Sequence, residues 1–235
     1  MRRLSIVVLA LNEEDNIALM INEMLPVARR TLDDFEIIMI NDGSTDRTGE
    51  IMEVLVKDNP EVRVVHHPEP EGIGSGFWDG ITHARFEYVV TYPGDQAYHI
   101  DGINHLFETV GSANLIISYR THQLQTRSLL RVILSQFFWL IMVIITGCRP
   151  RDFHSAVVYP VQIVREMGRP ARGYLFAADL LAKLISRKMP YVEIPASINP
   201  EETGDSQSLQ WSTFIEVLRT FRYLIIARLK GDLGR

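Results

Sequence analysis

The 235-residue sequence contains a single cysteine, Cys148. One thiol excludes an internal disulfide and any cysteine-rich metal site, and it suits a reducing compartment. Internal repeats and low-complexity segments are absent as well. The composition, with 46% apolar and 23% charged residues, is that of an ordinary globular protein. The length suits one large α/β domain with a short appendage.

The chain also lacks an uninterrupted apolar run of the length that clearly spans a membrane. Its longest apolar stretch, from Leu129 to Ile145, contains one arginine and two polar residues and lies at the lower limit for crossing a bilayer. Between Arg120 and Arg151 there are five arginines and no acidic residue. This pattern predicts an interfacial helix over residues 127–147, and the alternative is a helix of the domain core.

A second segment, Trp211 to Leu229, mixes aromatic, aliphatic and basic residues in a similar way. It is interpreted as another amphipathic helix on a membrane surface. We therefore expect one domain over residues 1–208, which includes the first interfacial helix, and a helical tail over 209–235.

Charge is distributed unevenly along the chain. Residues 1–117 hold 8 basic and 20 acidic residues, whereas residues 118–235 hold 16 basic and 9 acidic residues. An acidic half is compatible with metal-bridged phosphate binding, and a basic, apolar half is typical of a protein on anionic lipid. Nucleic acid is excluded as a partner, because the basic residues alternate with aliphatic runs rather than with aromatic platforms.

Short runs rich in Val and Ile alternate with segments of helical periodicity. The runs predict buried strands over Leu4–Leu11, Phe35–Ile40, Val62–Val65, Tyr88–Thr91 and Leu115–Ser118. The first run follows two arginines, but no signal-peptide cleavage site follows it.

Helices are predicted between these strands. The first carries an apolar face from Ile17 to Ala28, with Asn12 or Asp15 as its cap and Pro26 shortening its last turn. The others cover Ser44–Lys57, Ser75–Arg85 and Asp101–Val110. The alternation favours an α/β fold with a mostly parallel sheet covered on both faces.

Two nucleotide-binding classes are excluded by the first turn. A dinucleotide-binding fold needs a glycine-rich turn directly after the first strand, but that turn here reads LNEED. The later glycines, Gly72, Gly74, Gly76 and Gly80, do not match the G-x-G-x-x-G spacing either. A nucleotidyltransferase is excluded because a glycine and basic loop is missing at the same position.

Polar residues follow the first two strands, in the segments LSIVVLALNEEDNI and FEIIMINDGSTDRTGEI. Parallel strands would place them at one carboxyl edge of the sheet, where open α/β folds bind ligands. Both segments resemble the nucleotide-binding half of the family 2 inverting glycosyltransferases, which have the Rossmann-like GT-A fold. The resemblance implies that the base and ribose of a nucleotide sugar lie among five residues: Ala10, Asn12, Glu13, Asp42 and Ser44. Helix capping and turn formation are the alternative roles of Asn12 and Asp42.

Two further segments extend the resemblance. PEGIGSGFWDG is similar to a glycine-rich stretch of the family, which implies that Gly72, Gly74 and Ser75 approach the nucleotide sugar; a plain helix entry is the alternative. VVTYPGDQAYHID is similar to the family's Asp-x-Asp motif, which binds a divalent cation, Mg²⁺ or Mn²⁺.

This second motif is incomplete. Asp95 occupies the position of the second aspartate of the motif, and the resemblance implies that it is a catalytic and metal-binding residue. Pro93 replaces the first aspartate. Gln96 follows as an implied contact of the nucleotide sugar. A site based on one carboxylate remains compatible with Mg²⁺, which keeps several waters. His99 is interpreted as a surface or capping residue rather than a ligand.

The remaining catalytic candidates come from three segments that also resemble the family. ANLIISYR places Arg120 near a phosphate, RDFHSAVVYP keeps Asp152 and Ser155, and GYLFAADLLAKL places Asp179 where relatives carry a glutamate. Two positions of the second segment depart from the family, since Ala156 and Val158 replace a glycine and an arginine. A later segment departs further, because Asn199, Glu201, Glu202 and Gln207 stand where relatives that glycosylate polyprenyl phosphate have basic residues.

The expected activity is the inverting transfer of a sugar from a UDP- or GDP-sugar to a polyprenyl phosphate, such as a dolichyl or undecaprenyl phosphate. The protein is expected to be peripheral, at the cytoplasmic face of a membrane. A partner chain that spans the membrane is compatible with this expectation. One alternative is a sugar-nucleotide-binding or scaffold protein with impaired catalysis. Another is transfer to a sugar hydroxyl of a glycan, which would need Asp152 or Asp179 as a general base. Capping or an ion pair with a neighbouring arginine is the alternative role of both aspartates.

Overall fold

The computed structural model of the chain describes residues 1–121, 129–169, 176–197, 199 and 211–230. Its strands are β1 (Arg3–Ala10), β2 (Asp34–Asp42), β3 (Val62–His67), β4 (Tyr88–Pro93), β5 (Leu115–Arg120), β6 (Val157–Pro160) and β7 (Tyr191–Ala196). Its helices are α1 (Ile17–Thr31), α2 (Thr48–Asp58), α3 (Ile73–His83), α4 (Ile100–Thr109), α5 (Leu129–Thr146), α6 (Val161–Met167), α7 (Phe176–Ser186) and α8 (Trp211–Leu229).

The strands form one sheet in the order β3-β2-β1-β4-β6-β5-β7. Strand β6 is antiparallel to both β4 and β5, and the other pairings are parallel. The predicted mostly parallel sheet is therefore confirmed. The sequence patterns did not predict β6 and β7. Strand β6 has only four residues, so it is too short to show a clear period.

Both faces of the sheet are buried. Alternate residues of β1 enter opposite hydrophobic clusters: Ile6 and Val8 pack below α1, α2 and α4, whereas Val7 and Leu9 pack against α3 and the later helices. This burial explains why the parallel strands read as continuous apolar runs rather than alternating ones.

The predicted end of α1 is wrong. The helix continues past Pro26 to Thr31, and its N-cap is Asn16 rather than Asn12 or Asp15. The buried face explains the continuation, because Val27 and Ala28, which follow the proline, still pack in the core. Tertiary packing thus outweighs the local cost of a proline inside this helix.

Helices α5 and α8 each bury one side in the same cluster, through Met142 and Ile145 of α5 and Leu224 of α8. Arg228 of α8 also donates to the carbonyl oxygens of Ile144 and Ile145, at the end of α5. No helix in the described ranges combines the length and apolar character needed to span a membrane. The start of the predicted interfacial segment, the domain boundary at residue 208 and both ends of the predicted tail lie outside the described residues.

A buried charge stabilises the edge of the sheet opposite the strands' carboxyl ends. The Glu36 side chain is 0% exposed and accepts hydrogen bonds from Ser5 Oγ at 2.6 Å, Arg63 Nη2 at 2.6 Å and Arg85 Nε at 3.0 Å. The Arg85 amide also donates to it at 2.6 Å. One carboxylate therefore connects β1, β2, β3 and the turn before β4.

We expect Glu36→Ala to lower the free energy of unfolding by about 3 kcal/mol, because it leaves the partners of a buried charge unpaired. Urea unfolding followed by circular dichroism measures this loss. Glu87→Ala is the control, since the Glu87 carboxylate is 65% exposed and pairs with Arg3 at 3.5 Å. That surface pair should contribute less than about 1 kcal/mol. Equal losses in the two variants would contradict a stabilising role for the Glu36 network.

Candidate active site

The carboxyl ends of β1, β2 and β4 lie side by side. In the parallel register, Ala10 of β1 is opposite Asn41 of β2, and Leu9 is opposite Pro93 of β4. The turns that follow the three strands therefore leave the sheet together. They form the edge at which open α/β sheets bind ligands.

Asp95 lies in the turn after β4, directly against the end of β1. The Gly94 amide donates to the Leu9 carbonyl oxygen at 2.8 Å, and a Cβ atom at Gly94 would lie 3.1 Å from the Ala10 side chain. Asp95 Oδ1 accepts from the Ala97 amide at 3.0 Å, and Gln96 has a positive φ of 56°. The turn is thus held in a tight geometry that leaves the Asp95 side chain exposed.

The negative charge of Asp95 acts on the Glu13 carboxyl across this edge. Desolvation by burial is the main cause that raises the pKa of the Glu13 carboxyl; the hydrogen bond from Asn16 opposes it, and the negative charges of Asp95 and Asp46 add to it. Desolvation also raises the pKa of Asp95, against the Ala97 hydrogen bond. Asp95 remains exposed, so water moderates its shift. Two carboxyls in this environment fit a divalent cation as their counter-charge.

Asn12 and Ser44 connect the first two turns. Asn12 has a positive φ of 57°; its amide donates to Ser44 Oγ at 3.0 Å, and its side-chain oxygen accepts from the Thr45 amide at 2.8 Å. The Glu13 amide donates to Thr48 Oγ1 at 2.8 Å. These contacts show that part of the polar character of both turns serves to hold them together.

Asp42 is buried at the end of β2, and both of its carboxylate oxygens are hydrogen-bonded. Its Oδ1 is hydrogen-bonded to His67 Nδ1 at 2.7 Å and accepts from the Glu71 amide at 2.8 Å. Its Oδ2 accepts from the Gly72 amide at 2.9 Å. The carboxylate therefore fixes the position of the turn between β3 and α3.

The glycine-rich segment forms the entry to α3. Gly72 is the N-cap, with a φ of 91° that disfavours any side chain, and Gly74 and Ser75 are buried in the first turn. The Ser75 hydroxyl accepts from Arg169 Nη2 at 2.8 Å. Arg169 was not predicted from the sequence, since it is 94 residues away and belongs to no recognisable motif.

Arg120 and Asp152 form a bidentate ion pair. Arg120 Nε and Nη2 donate to the two carboxylate oxygens at 2.7 and 3.0 Å, and the His154 amide donates to Asp152 Oδ1 at 2.8 Å. Burial alone would raise the pKa of Asp152, but the charge and hydrogen bonds of Arg120, with the His154 contacts, lower it overall. Asp152 is therefore an ionised, weakly basic carboxylate.

Asp179 lies in α7 and is 2% exposed. Its Oδ2 accepts from Lys183 Nζ at 2.9 Å, and its Oδ1 has no hydrogen-bond partner among the residues that the structure describes. Burial would lower the pKa of Lys183, but the Asp179 charge raises it overall. Among the described residues, the hydrogen bond and ion pair of Asp179 are with Lys183 and do not reach the turns after β1, β2 and β4.

Three other predicted residues have structural contacts. His99 caps α4, where its Nδ1 accepts from the Asp101 amide at 3.3 Å, and Ser155 Oγ lies 2.7 Å from Ser118 Oγ. Asn199 donates to the Gln96 carbonyl oxygen at 2.6 Å and so supports the turn that holds Asp95. The acidic residues predicted near the acceptor, at 201 and 202, and Gln207 lie outside the described residues.

Residues 5–154 match the family model of glycosyl transferase family 2. The chain belongs to this family. The sequence resemblance to this family is thereby confirmed.

Several curated relatives of this glycosyltransferase act on lipid phosphates. This chain is 27% identical over 226 residues to the dolichyl-phosphate β-glucosyltransferase ALG5C of Trichomonas vaginalis. The match covers 86% of this chain and 64% of the relative. This chain is 22% identical over 223 residues to the undecaprenyl-phosphate mannosyltransferase of Micrococcus luteus, covering 89% of this chain and 92% of the relative. The chain spans only 45% of a second Trichomonas glucosyltransferase, ALG5A, to which it is 33% identical over 144 residues.

The fold of the glycosyltransferase is also that of a solved enzyme. Glucosyl-3-phosphoglycerate synthase from Mycobacterium tuberculosis, in complex with UDP, superposes with a TM-score of 0.68 at 19% identity. The match covers 95% of this chain and 80% of that one. Another structure of that enzyme contains Mn²⁺, UDP and its product. The likeness confirms the predicted GT-A fold.

The Asp152→Asn variant should show how this buried ion pair depends on pH. The pKa of Asp152 is lowered in the folded protein, so ionised Asp152 stabilises the fold. This contribution to the free energy of unfolding is complete above the pKa of the unfolded chain, about 3.9, and is lost as pH falls through the pKa of the folded protein. We expect Asp152→Asn to cost about 3 kcal/mol between pH 5 and 7. The difference in melting temperature from the wild type should shrink below about pH 4.

Thermal melts from pH 3 to 7 measure this dependence. Glu50→Gln is the control, because Glu50 and Arg47 form a pair whose side chains are 76% and 75% exposed. It should leave the melting temperature nearly unchanged at every pH. A difference for Asp152→Asn that stays constant down to pH 3 would contradict the assignment.

Proposed function

We propose that the enzyme transfers a sugar, with inversion at the anomeric carbon, from a nucleotide diphosphate sugar to a polyprenyl phosphate at a membrane surface. Family membership and the lipid-phosphate substrates named for its relatives support this proposal. One observation carries it. Each of the two candidate bases, Asp152 and Asp179, forms an ion pair with a basic side chain of the protein.

A general base is needed only for some acceptors. A sugar hydroxyl must lose its proton during the transfer, so its enzyme needs a base. A phosphate monoester has a second pKa of about 6 and is already ionised at pH 7. Because Arg120 and the His154 amide engage both oxygens of Asp152, and Lys183 engages Asp179, the site fits the phosphate acceptor better.

The donor would occupy the carboxyl edge of β1, β2 and β4. Asn12, Glu13 and Asp42 border this edge and would surround the nucleotide, with Asp42 acting through the turn that it holds. Asp95 would bind the divalent cation, with Glu13 adding negative charge nearby. The cation, when bound, would neutralise charge on the departing diphosphate. Arg120 would contribute positive charge from an orientation that Asp152 fixes.

Transfer of radiolabelled sugar tests the proposal. UDP- and GDP-sugars are offered with undecaprenyl or dolichyl phosphate in detergent, with Mg²⁺, Mn²⁺ or EDTA, and lipid-linked label is counted. We expect metal-dependent transfer from one donor, and a loss of at least about 100-fold in Asp95→Asn, because the remaining groups cannot replace the carboxylate that binds the cation. Asp15→Asn is the control, since Asp15 is an exposed carboxylate near the same edge and should keep full activity.

The Asp179→Asn variant separates the two acceptor classes. With a phosphate acceptor, it should reduce turnover by less than about tenfold, since no proton needs to be removed. A sugar-hydroxyl acceptor together with a nearly complete loss in this variant would overturn the assignment of the acceptor. Nucleotide binding without transfer to any acceptor would instead favour a binding or scaffold protein. Pro93 is compatible with that outcome, because it replaces the first aspartate of the metal-binding motif.

The second half of the chain offers a surface for the membrane. One face of α5 is exposed, and we call it the α5 apolar face: Leu129 (68%), Ile133 (56%), Phe137 (62%), Leu140 (48%) and Ile144 (66%). Their spacing of three or four residues places these side chains along one side of the helix. In α8, exposed apolar residues lie beside exposed basic ones, among them Leu218 and Arg219. Apolar area together with positive charge is what binds anionic bilayers.

Vesicle co-sedimentation tests this surface. The enzyme should bind vesicles containing phosphatidylglycerol more strongly than vesicles of phosphatidylcholine alone. The double variant Ile133→Asn/Phe137→Ser should bind at least tenfold more weakly, because it removes two large apolar side chains from the contact. Leu19→Gln is the control, since Leu19 is 55% exposed on α1, at the other face of the sheet. Equal binding by both variants would contradict docking through the α5 apolar face.

A further inference from the structure

A histidine and two carboxylates cluster between β3 and α3. His67 ends β3, Glu71 lies in the turn that follows, and Asp79 lies in α3. One potential ligand atom of each residue lies within 4.8 Å of the others. In the sheet, β3 is separated from the strand that precedes Asp95 by β2 and β1, so this cluster is distinct from the proposed site of the donor's cation.

The imidazole of His67 is oriented by a residue outside the cluster. Its Nδ1 is hydrogen-bonded to the buried Asp42 carboxylate at 2.7 Å, and its Nε2 lies 3.0 Å from Asp79 Oδ2. Histidines that bind metals usually donate their second ring nitrogen to a carboxylate, which fixes the tautomer and the ring. Asp42 supplies this contact through Nδ1, and Nε2 is left facing Asp79.

Asp42 also positions the second candidate ligand. Its Oδ1 accepts from the amide of Glu71, so the same buried carboxylate holds the backbone of Glu71 and the ring of His67. The Asp79 side chain is 30% exposed and that of Glu71 is 44% exposed, whereas that of His67 is 6% exposed. The cluster thus has one rigid, buried ligand and two ligands that solvent can reach.

The distances suit a small transition-metal ion. Zinc bonds of about 2.0–2.1 Å to nitrogen and oxygen at the tetrahedral angle place neighbouring ligand atoms roughly 3.3 Å apart. The 3.0 Å between His67 Nε2 and Asp79 Oδ2 needs to widen by only a few tenths of an ångström. Glu71 can turn toward the same point from its exposed position. Arg169 lies 3.8 Å from Glu71 and is the cation that would compete for it.

We propose that His67 Nε2, Glu71 and Asp79 bind one Zn²⁺ ion in the absence of nucleotide. An imidazole with two carboxylates suits zinc, whereas Mg²⁺ prefers oxygen ligands alone. Three carboxylates, those of Asp42, Glu71 and Asp79, surround one imidazole, so a dication balances the local charge. The bound ion would join β3, the turn after it and α3. The proposal rests on the contacts of this cluster and not on the proposed transfer reaction.

Zinc titration of the full, nucleotide-free chain tests the proposal. The protein is stripped with EDTA and dialysed, and Zn²⁺ is then added in competition with a chromophoric chelator. We expect one Zn²⁺ per chain, bound at least 100-fold more tightly than Mg²⁺. Asp79→Asn and Glu71→Gln should each weaken zinc binding at least tenfold, and zinc should raise their melting temperatures less than that of the wild type. Circular dichroism verifies that each variant is folded.

Two control variants locate the ion. Glu69→Gln removes an exposed carboxylate from the same turn, and Asp95→Asn removes the proposed ligand of the donor's cation; neither should change zinc binding. The proposal is overturned if the nucleotide-free chain binds no zinc, or if binding survives in both Asp79→Asn and Glu71→Gln. A neighbouring pair, His66 and Glu53, lies with its Nε2 and Oε1 atoms 3.0 Å apart. The proposal is also overturned if His66→Gln loses zinc binding, because the ion would then lie at that pair. Failure of sugar transfer would leave these outcomes unaffected.

Discussion

The parallel register of β1 with β2 and β4 fixes where the groups of the candidate active site lie. Because Ala10 is opposite Asn41 and Leu9 is opposite Pro93, the three following turns leave the sheet at the same level. A shift of one residue in either pairing would turn Val7 and Leu9 to the wrong face and move a carboxylate away from the edge. The buried apolar side chains of the central strands thereby determine the geometry of the polar edge.

At that edge, much of the charge is used for internal structure. Asp42 binds a histidine and two backbone amides, and Asp152 accepts two hydrogen bonds from one edge of the Arg120 guanidinium. Groups held in this way are oriented before a ligand arrives, which reduces the reorganisation that binding requires. Asp95 differs from them, because its carboxylate accepts a local hydrogen bond from the Ala97 amide and remains exposed.

The sequence predicted the central part of the fold well, because β1, β2 and β4 are apolar runs followed by recognisable turns. It did not predict β6, which is short and antiparallel, or the continuation of α1 past Pro26, which depends on core packing. At the site, motif order indicated Asp42 and Asp95. An ion pair of Asp152 with a neighbouring arginine is an alternative that the sequence allows, but Arg120 as its partner has no local signal, because 32 residues separate the two. Arg169 and His67 reach the site through tertiary contacts that have no local pattern.

The Glu36 network lies at the amino end of the central strands, on the side of the sheet away from the ligand edge. Its hydrogen bonds involve none of the residues that border the proposed donor site. Substitutions that alter the specificity of the carboxyl edge therefore leave this stabilising network intact. The fold can acquire new substrates by mutation at one edge while the opposite edge preserves the robustness on which such evolutionary change depends.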